Sequence, residues 1–143
     1  MKKRVVITGL GIVAPNGVGI SAFSDAIKKG ISGIEFLPEL RDLNFSCQLG
    51  AAPKISEEKK REYLTDLQLR NFNSSGILYG VIAGMDALKD AGIKPALPEE
   101  EALWDLGIIF GTGISGVDKF REAIHKIDDG NVRRLGSTSV VQT

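Results

Sequence analysis

The sequence predicts an α/β domain built on a mixed sheet with flanking helices. Two short apolar runs, residues 4–8 and 106–110, are rich in Val, Ile and Leu and read as strands buried on both faces, as in parallel or mixed sheets. Apolar residues recur at spacings of three and four over 73–91 and 117–127, the period of helices with one buried face. Glycine is abundant, 17 of 143 residues, and it gathers directly after the two runs. That placement points to tight turns and close backbone approach rather than to a linker. The length suits one ordinary domain.

The elements follow in order. Residues 4–8 form the first strand, and Gly9-Leu10-Gly11-Ile12-Val13-Ala14-Pro15-Asn16-Gly17 follows as a loop. Ser21 suits the N-cap of a helix to about Lys29, with Ala22, Phe23, Ala26 and Ile27 on one face and Gly30 as the stop. Residues 33–53 lack a period and predict an irregular excursion with a short strand near 46–51 and at most one strand pair. Ser56, Glu57 and Glu58 open a charged helix, since acids favour the positive end of the helix dipole. The strongest helix spans about 73–91, with Ile77, Leu78, Val81, Ile82, Met85 and Leu88 on its apolar face. Gly76, Gly80 and Gly84 recur every four residues on one side and predict close packing against another element. Gly92 and Pro95 end it. After the second strand, a loop over 111–116 leads into a helix with Val117, Phe120, Ile124 and Ile127 on one face. Ser137 or Thr138 caps a final turn at 139–142. A helix of one turn is marginal because nucleation is costly, so the chain is expected to be incomplete.

Composition excludes several function classes. Lys plus Arg and Asp plus Glu number 18 each, so no net charge pulls the chain toward nucleic acid or an anionic membrane. No run approaches the ~20 apolar residues of a membrane span, and the basic start, Met1 to Arg4, lacks the apolar stretch of a signal peptide. The expected location is the cytoplasm. One cysteine excludes an intrachain disulfide, and one histidine beside it excludes a site rich in soft metal ligands.

Candidate chemistry is sparse. Gly9-x-Gly11-x-x-Ala14 and Gly111-x-Gly113-x-x-Gly116 both match a dinucleotide fingerprint. Pro15 to Gly17 blocks the helix that the first would need, and the second lacks an acidic residue at the end of a following strand. Cys47 reads as a small buried or half-buried residue rather than a nucleophile, and His125, off the apolar face of its helix, as exposed rather than a base. Lys59, Lys60, Arg61 and Arg70, with Arg133 and Arg134, form either a solvated surface or a patch for an acidic partner.

Taken in order, these motifs resemble the β-ketoacyl-acyl-carrier-protein synthase family. The resemblance is carried by residues 4–17, by Gly30-Ile31-Ser32-Gly33-Ile34 at its distance from them, by 86–93, and by 107–116. It spans the chain but only about the first third of a family member. It implies a thiolase-like fold, of which residues 1–143 are an incomplete N-terminal half, ending before the nucleophile. It implies decarboxylative Claisen condensation of an acyl thioester with malonyl-carrier protein, in fatty-acid or polyketide synthesis, by a homodimer that uses no cofactor. The family's nucleophile sits in an Ala-Cys-small motif, which Ser46-Cys47-Gln48 does not match, so no catalytic residue is assigned to Cys47, to His125 or to any other position here. Gly111, Thr112, Gly113 and Ile114 correspond to the loop beside the acyl pocket, with Ile114 at a gate position. Residues 139–143 correspond to a segment that enters the dimer interface. Lys59, Lys60, Arg61, Arg70 and Arg133 lie near segments that meet the acyl carrier protein. A non-catalytic module that only dimerises or binds the carrier is the alternative, and a nucleotide-binding domain is a third.

Overall fold

A computed structural model describes residues 3–97, 99–113 and 115–142. It shows a mixed α/β chain organised around one long helix. Strands β1 (Val13–Ala14) and β2 (Gly17–Val18) form a hairpin, with Val13 opposite Val18 and Ala14 opposite Gly17. Pro15 and Asn16 make its two-residue turn, so the first glycine loop opens a hairpin and not a phosphate-binding helix. Helix α1 (Ile20–Lys28) follows directly. It begins earlier than Ser21 because Gly19, at φ 86°, turns the chain and donates to the Ile12 carbonyl at 2.8 Å. A Cβ on Gly17 would press on the Phe23 backbone, so the hairpin lies close against α1.

The excursion contains one strand pair, β3 (Glu35–Phe36) with β4 (Leu49–Gly50), and a short helix between them, α2 (Pro38–Asp42). Pro38 at the first helical position suits that start. Helix α3 (Glu57–Arg61) is capped by Ser56, whose hydroxyl accepts from the Lys59 amide at 3.1 Å. Helix α4 (Asp66–Asn71) has a full capping box between Thr65 and Gln68.

Helix α5 (Ser75–Asp90) is the centre of the fold. Its Leu78 and Ile82 are buried, Ile82 completely, and with Ala26 of α1 they form the buried apolar core among the described residues. Two backbone crossings flank it. The Gly9 and Gly11 backbone lies on Ala83, Ala87 and Ala91, with no room for a Cβ at either glycine. On another side Gly76 meets Ser115 and Gly80 takes the Phe110 ring. The expected close packing therefore holds at Gly76 and Gly80, whereas Gly84 faces open space. Helices α6 (Val117–Asp128) and α7 (Thr138–Gln142), joined through a 3-10 turn (Val132–Arg134), complete the order.

Two expectations are corrected. Residues 4–8 and 106–110 are not buried strands: they carry no ladder, and Val5, Ile7, Ile108 and Phe110 are exposed, with Ile109 fully so. The described residues hold two two-stranded antiparallel ladders and no mixed sheet. Apolar runs are buried on both faces only when strands flank them and helices cover them, and neither run has a paired neighbour here. Cys47, expected to be at least half-buried, is exposed. Its segment is an irregular stretch outside the small core, where nothing packs over the thiol.

Candidate functional site

The N-terminus of α5 is the most constructed point of the molecule. Four orphan amides stand at any helix start and need acceptors. Here the Gln142 Oε1 accepts from the Asn73 amide at 2.7 Å and the Ser74 amide at 3.0 Å. Asp118 accepts from the Ser75 amide at 3.2 Å. Side chains of α6 and α7 thus cap a helix roughly forty to seventy residues earlier in sequence. Ser74, the formal N-cap, is fully buried, and its own hydroxyl has no partner among the described residues.

A second cluster joins α3 to α5. The Tyr63 hydroxyl donates to the Asp86 carboxylate at 2.5 Å, and the Lys59 ammonium lies 4.9 Å from the centre of the Tyr63 ring while pairing with Glu62 at 2.7 Å. Burial first, and then the Asp86 carboxylate, push the Tyr63 phenol up. Glu62, followed by the Tyr63 hydroxyl, holds the Lys59 ammonium well above the usual lysine range. The cluster separates two open clefts. One, of about 630 Å³, runs along Met85, Leu88, Ile93 and Pro95. The other, of about 720 Å³, lies between Leu10, the start of α1 and Asp86. Asp90 reaches across to accept from the Leu10 amide at 2.9 Å, which ties the first glycine loop to α5.

The structure scatters the residues singled out from sequence. Gly111, Thr112 and Gly113 form an exposed irregular segment, and Ile114 lies outside the described residues. Lys59, Lys60 and Arg61 share α3, but each is engaged by an acid: Glu62 at 2.7 Å, Glu57 at 2.6 Å and Asp66 at 3.0 Å. Lys60 in turn pulls the Glu57 carboxyl down. Arg70 lines a different cleft, with Lys119 and Lys126 of α6. Arg133 is exposed in the 3-10 turn. Cys47 lies on an exposed stretch with its thiol 3.9 Å from the Leu49 carbonyl, and His125 is exposed in the last turn of α6. Neither lines any of the clefts described. Among the described residues no group of His, Cys, Asp and Glu is placed to hold a metal, and no helix is long and apolar enough to cross a membrane.

Sequence reasoning missed the Tyr63–Asp86 link and the caps from Asp118 and Gln142, which join distant positions and leave no local pattern. It also missed α4, whose Thr65-x-x-Gln68 box was legible.

The profile of the β-ketoacyl synthase N-terminal domain matches residues 2–143. The chain belongs to that family. A β-ketoacyl synthase relative from Vibrio cholerae serotype O1, named 3-oxoacyl-[acyl-carrier-protein] synthase 2, is 31% identical over 142 residues, 99% of this chain and 33% of its own length. A synthase of the same name from Vibrio harveyi is 33% identical over 117 residues, 82% of this chain and 27% of its own. A Streptomyces halstedii protein named putative polyketide beta-ketoacyl synthase 1 is 25% identical over 133 residues, 93% of this chain and 30% of its own. The chain therefore spans about a third of the length of these curated relatives. The sequence-based expectation of membership in the β-ketoacyl synthase family is borne out.

Proposed function

We propose that this chain supplies the N-terminal portion, residues 1–143, of a β-ketoacyl-acyl-carrier-protein synthase with a thiolase-like fold. The observation that carries the reading is the family match over residues 2–143, together with relatives named for that activity. The reaction is a decarboxylative Claisen condensation. An acyl group waits as a thioester on an enzyme cysteine. Malonyl-carrier protein loses carbon dioxide, and the carbon freed of its carboxylate attacks the thioester carbonyl. A carbon–carbon bond forms, the carbon–sulfur bond breaks and the thiolate leaves.

The accepting cysteine is not Cys47. That residue lacks the family's Ala-Cys-small setting, and its thiol is exposed on an irregular stretch. The nucleophile and its histidine partners therefore belong to residues outside 1–143. Gly111, Thr112, Gly113 and Ile114 form one wall of the acyl pocket. Lys59, Lys60, Arg61, Arg70 and Arg133 face the acidic carrier protein, and residues 139–143 approach the second subunit of a cytoplasmic homodimer.

Two measurements test the reading. Acyl carrier protein should bind the 143-residue chain in a salt-sensitive manner, and charge reversal at Lys59, Lys60 and Arg61 should weaken it. Binding that ignores both salt and charge reversal removes the docking surface. Intact-protein mass spectrometry after incubation with acyl-carrier protein should show no added acyl mass. An acyl group on Cys47 overturns the assignment of the nucleophile.

A further inference from the structure

A cleft of about 260 Å³ opens between α4, the start of α5, α6 and α7, with a mostly polar lining. Three cations border it: Arg70 from α4, and Lys119 and Lys126 from α6. The two lysines are seven residues apart and so share a face of α6. Glu122 sits between them and accepts from Lys119 at 2.9 Å and from Lys126 at 2.7 Å. One carboxylate cannot balance three cations, so the lining carries an excess of two positive charges in a chain whose net charge is zero. Among the described residues Arg70 enters no ion pair. Asn73 and Ser139 add neutral donors to the rim. Gln142 does not, because its oxygen is turned to the α5 amides and its nitrogen to the Thr138 carbonyl.

We propose that this cleft binds the phosphate dianion of a small phosphate monoester. Two negative charges match the excess, whereas a single carboxylate leaves one cation unmatched. Glu122 holds both ammonium groups beside the cleft, while its own negative charge opposes an incoming anion. Each ammonium has three donors and keeps some for the ligand, and the Arg70 guanidinium offers the fork that suits phosphate oxygens. The inference does not rest on the carrier-protein reading: the two share only Arg70, and charge reversal at Lys59, Lys60 and Arg61 tests that reading without touching this cleft.

The test is isothermal titration of the 143-residue chain with inorganic phosphate at low ionic strength, against sodium acetate and chloride at matched ionic strength. Phosphate should bind saturably, and acetate at least about tenfold more weakly. Arg70→Ala and Lys126→Ala should each weaken phosphate by about tenfold, the scale of one lost charge-assisted contact. Glu122→Gln removes the one negative charge in the lining and should tighten it. That variant keeps the test sharp, because a merely damaged fold does not gain affinity. Circular dichroism checks that the variants remain folded. Phosphate heats no different from chloride, acetate binding equal to phosphate, or unchanged affinity in folded Arg70→Ala and Lys126→Ala overturns the proposal.

Discussion

Gln142 and Ser74 carry opposite consequences although both are buried polar residues at the same helix end. Gln142 satisfies two backbone amides, and its removal strands them away from water. Gln142→Ala should cost about 2 kcal/mol in urea unfolding, the usual penalty for orphaned buried donors. Ser74→Ala deletes a hydroxyl that has no partner among the described residues. It should leave stability unchanged or raise it by less than about 1 kcal/mol, unlike a typical N-cap serine. The same residue scale sets a pH response. Lys126 first, then Lys119, hold the Glu122 carboxyl down from the ordinary 4.5 to about 2. A folded-state value below the unfolded one means stability fully present above pH 4.5 and lost as pH falls toward 2. Glu122 is 46% exposed, so after solvent screening the contribution is on the order of 0.5 kcal/mol. The stability difference between the native chain and Glu122→Gln should therefore shrink to nothing across that window.

Among the elements, α5 decides what can pack. Its alanines at 83 and 87, and the C-cap Ala91, are small where the first glycine loop crosses them, and Gly80 is bare where Phe110 lies on it. A Cβ on Gly11 would land on the Ala83 carbonyl oxygen, which is backbone and cannot turn away. Gly11→Ala should therefore destabilise by about 3 kcal/mol, at the upper end of overpacking costs, whereas Gly84→Ala, facing open space in the same region, should be neutral or stabilising. Paired urea titrations of the two variants check this. Both helix periods were legible, and α5 and α6 lie within two residues of expectation, since amphipathic spacing is a local property. The docking of α6 and α7 onto the α5 N-terminus was not, because Asp118 and Gln142 look like ordinary surface residues until their partners are seen.

For the molecule as a whole, the notable surface is the pair of apolar extended runs. Residues 4–8 and 107–110 have no backbone hydrogen bonds to other described residues, although their composition is that of buried strands. Amide hydrogen exchange should find these residues unprotected and the centre of α5, around Ile82, the slowest. Protection of residues 4–8 comparable to α5 would show that they are paired in solution. The glycine segment at 111–113 shares this exposure. The pocket-wall role proposed for it came from the sequence only through family resemblance, because three exposed residues carry no chemistry of their own.

The sequence by itself determined the α/β class, the helices other than α2 and α4, their stops at Gly30 and Gly92, and the family, because propensity, capping and motif order all act over short stretches of chain. Only the tertiary structure decided which amides Gln142 and Asp118 cap, that Arg70 faces Lys119 and Lys126 rather than the α3 basic cluster, and that the two strand-like runs stand uncovered. Burial and charge convergence depend on what lies across from a residue in space, and no period in the chain encodes that neighbour.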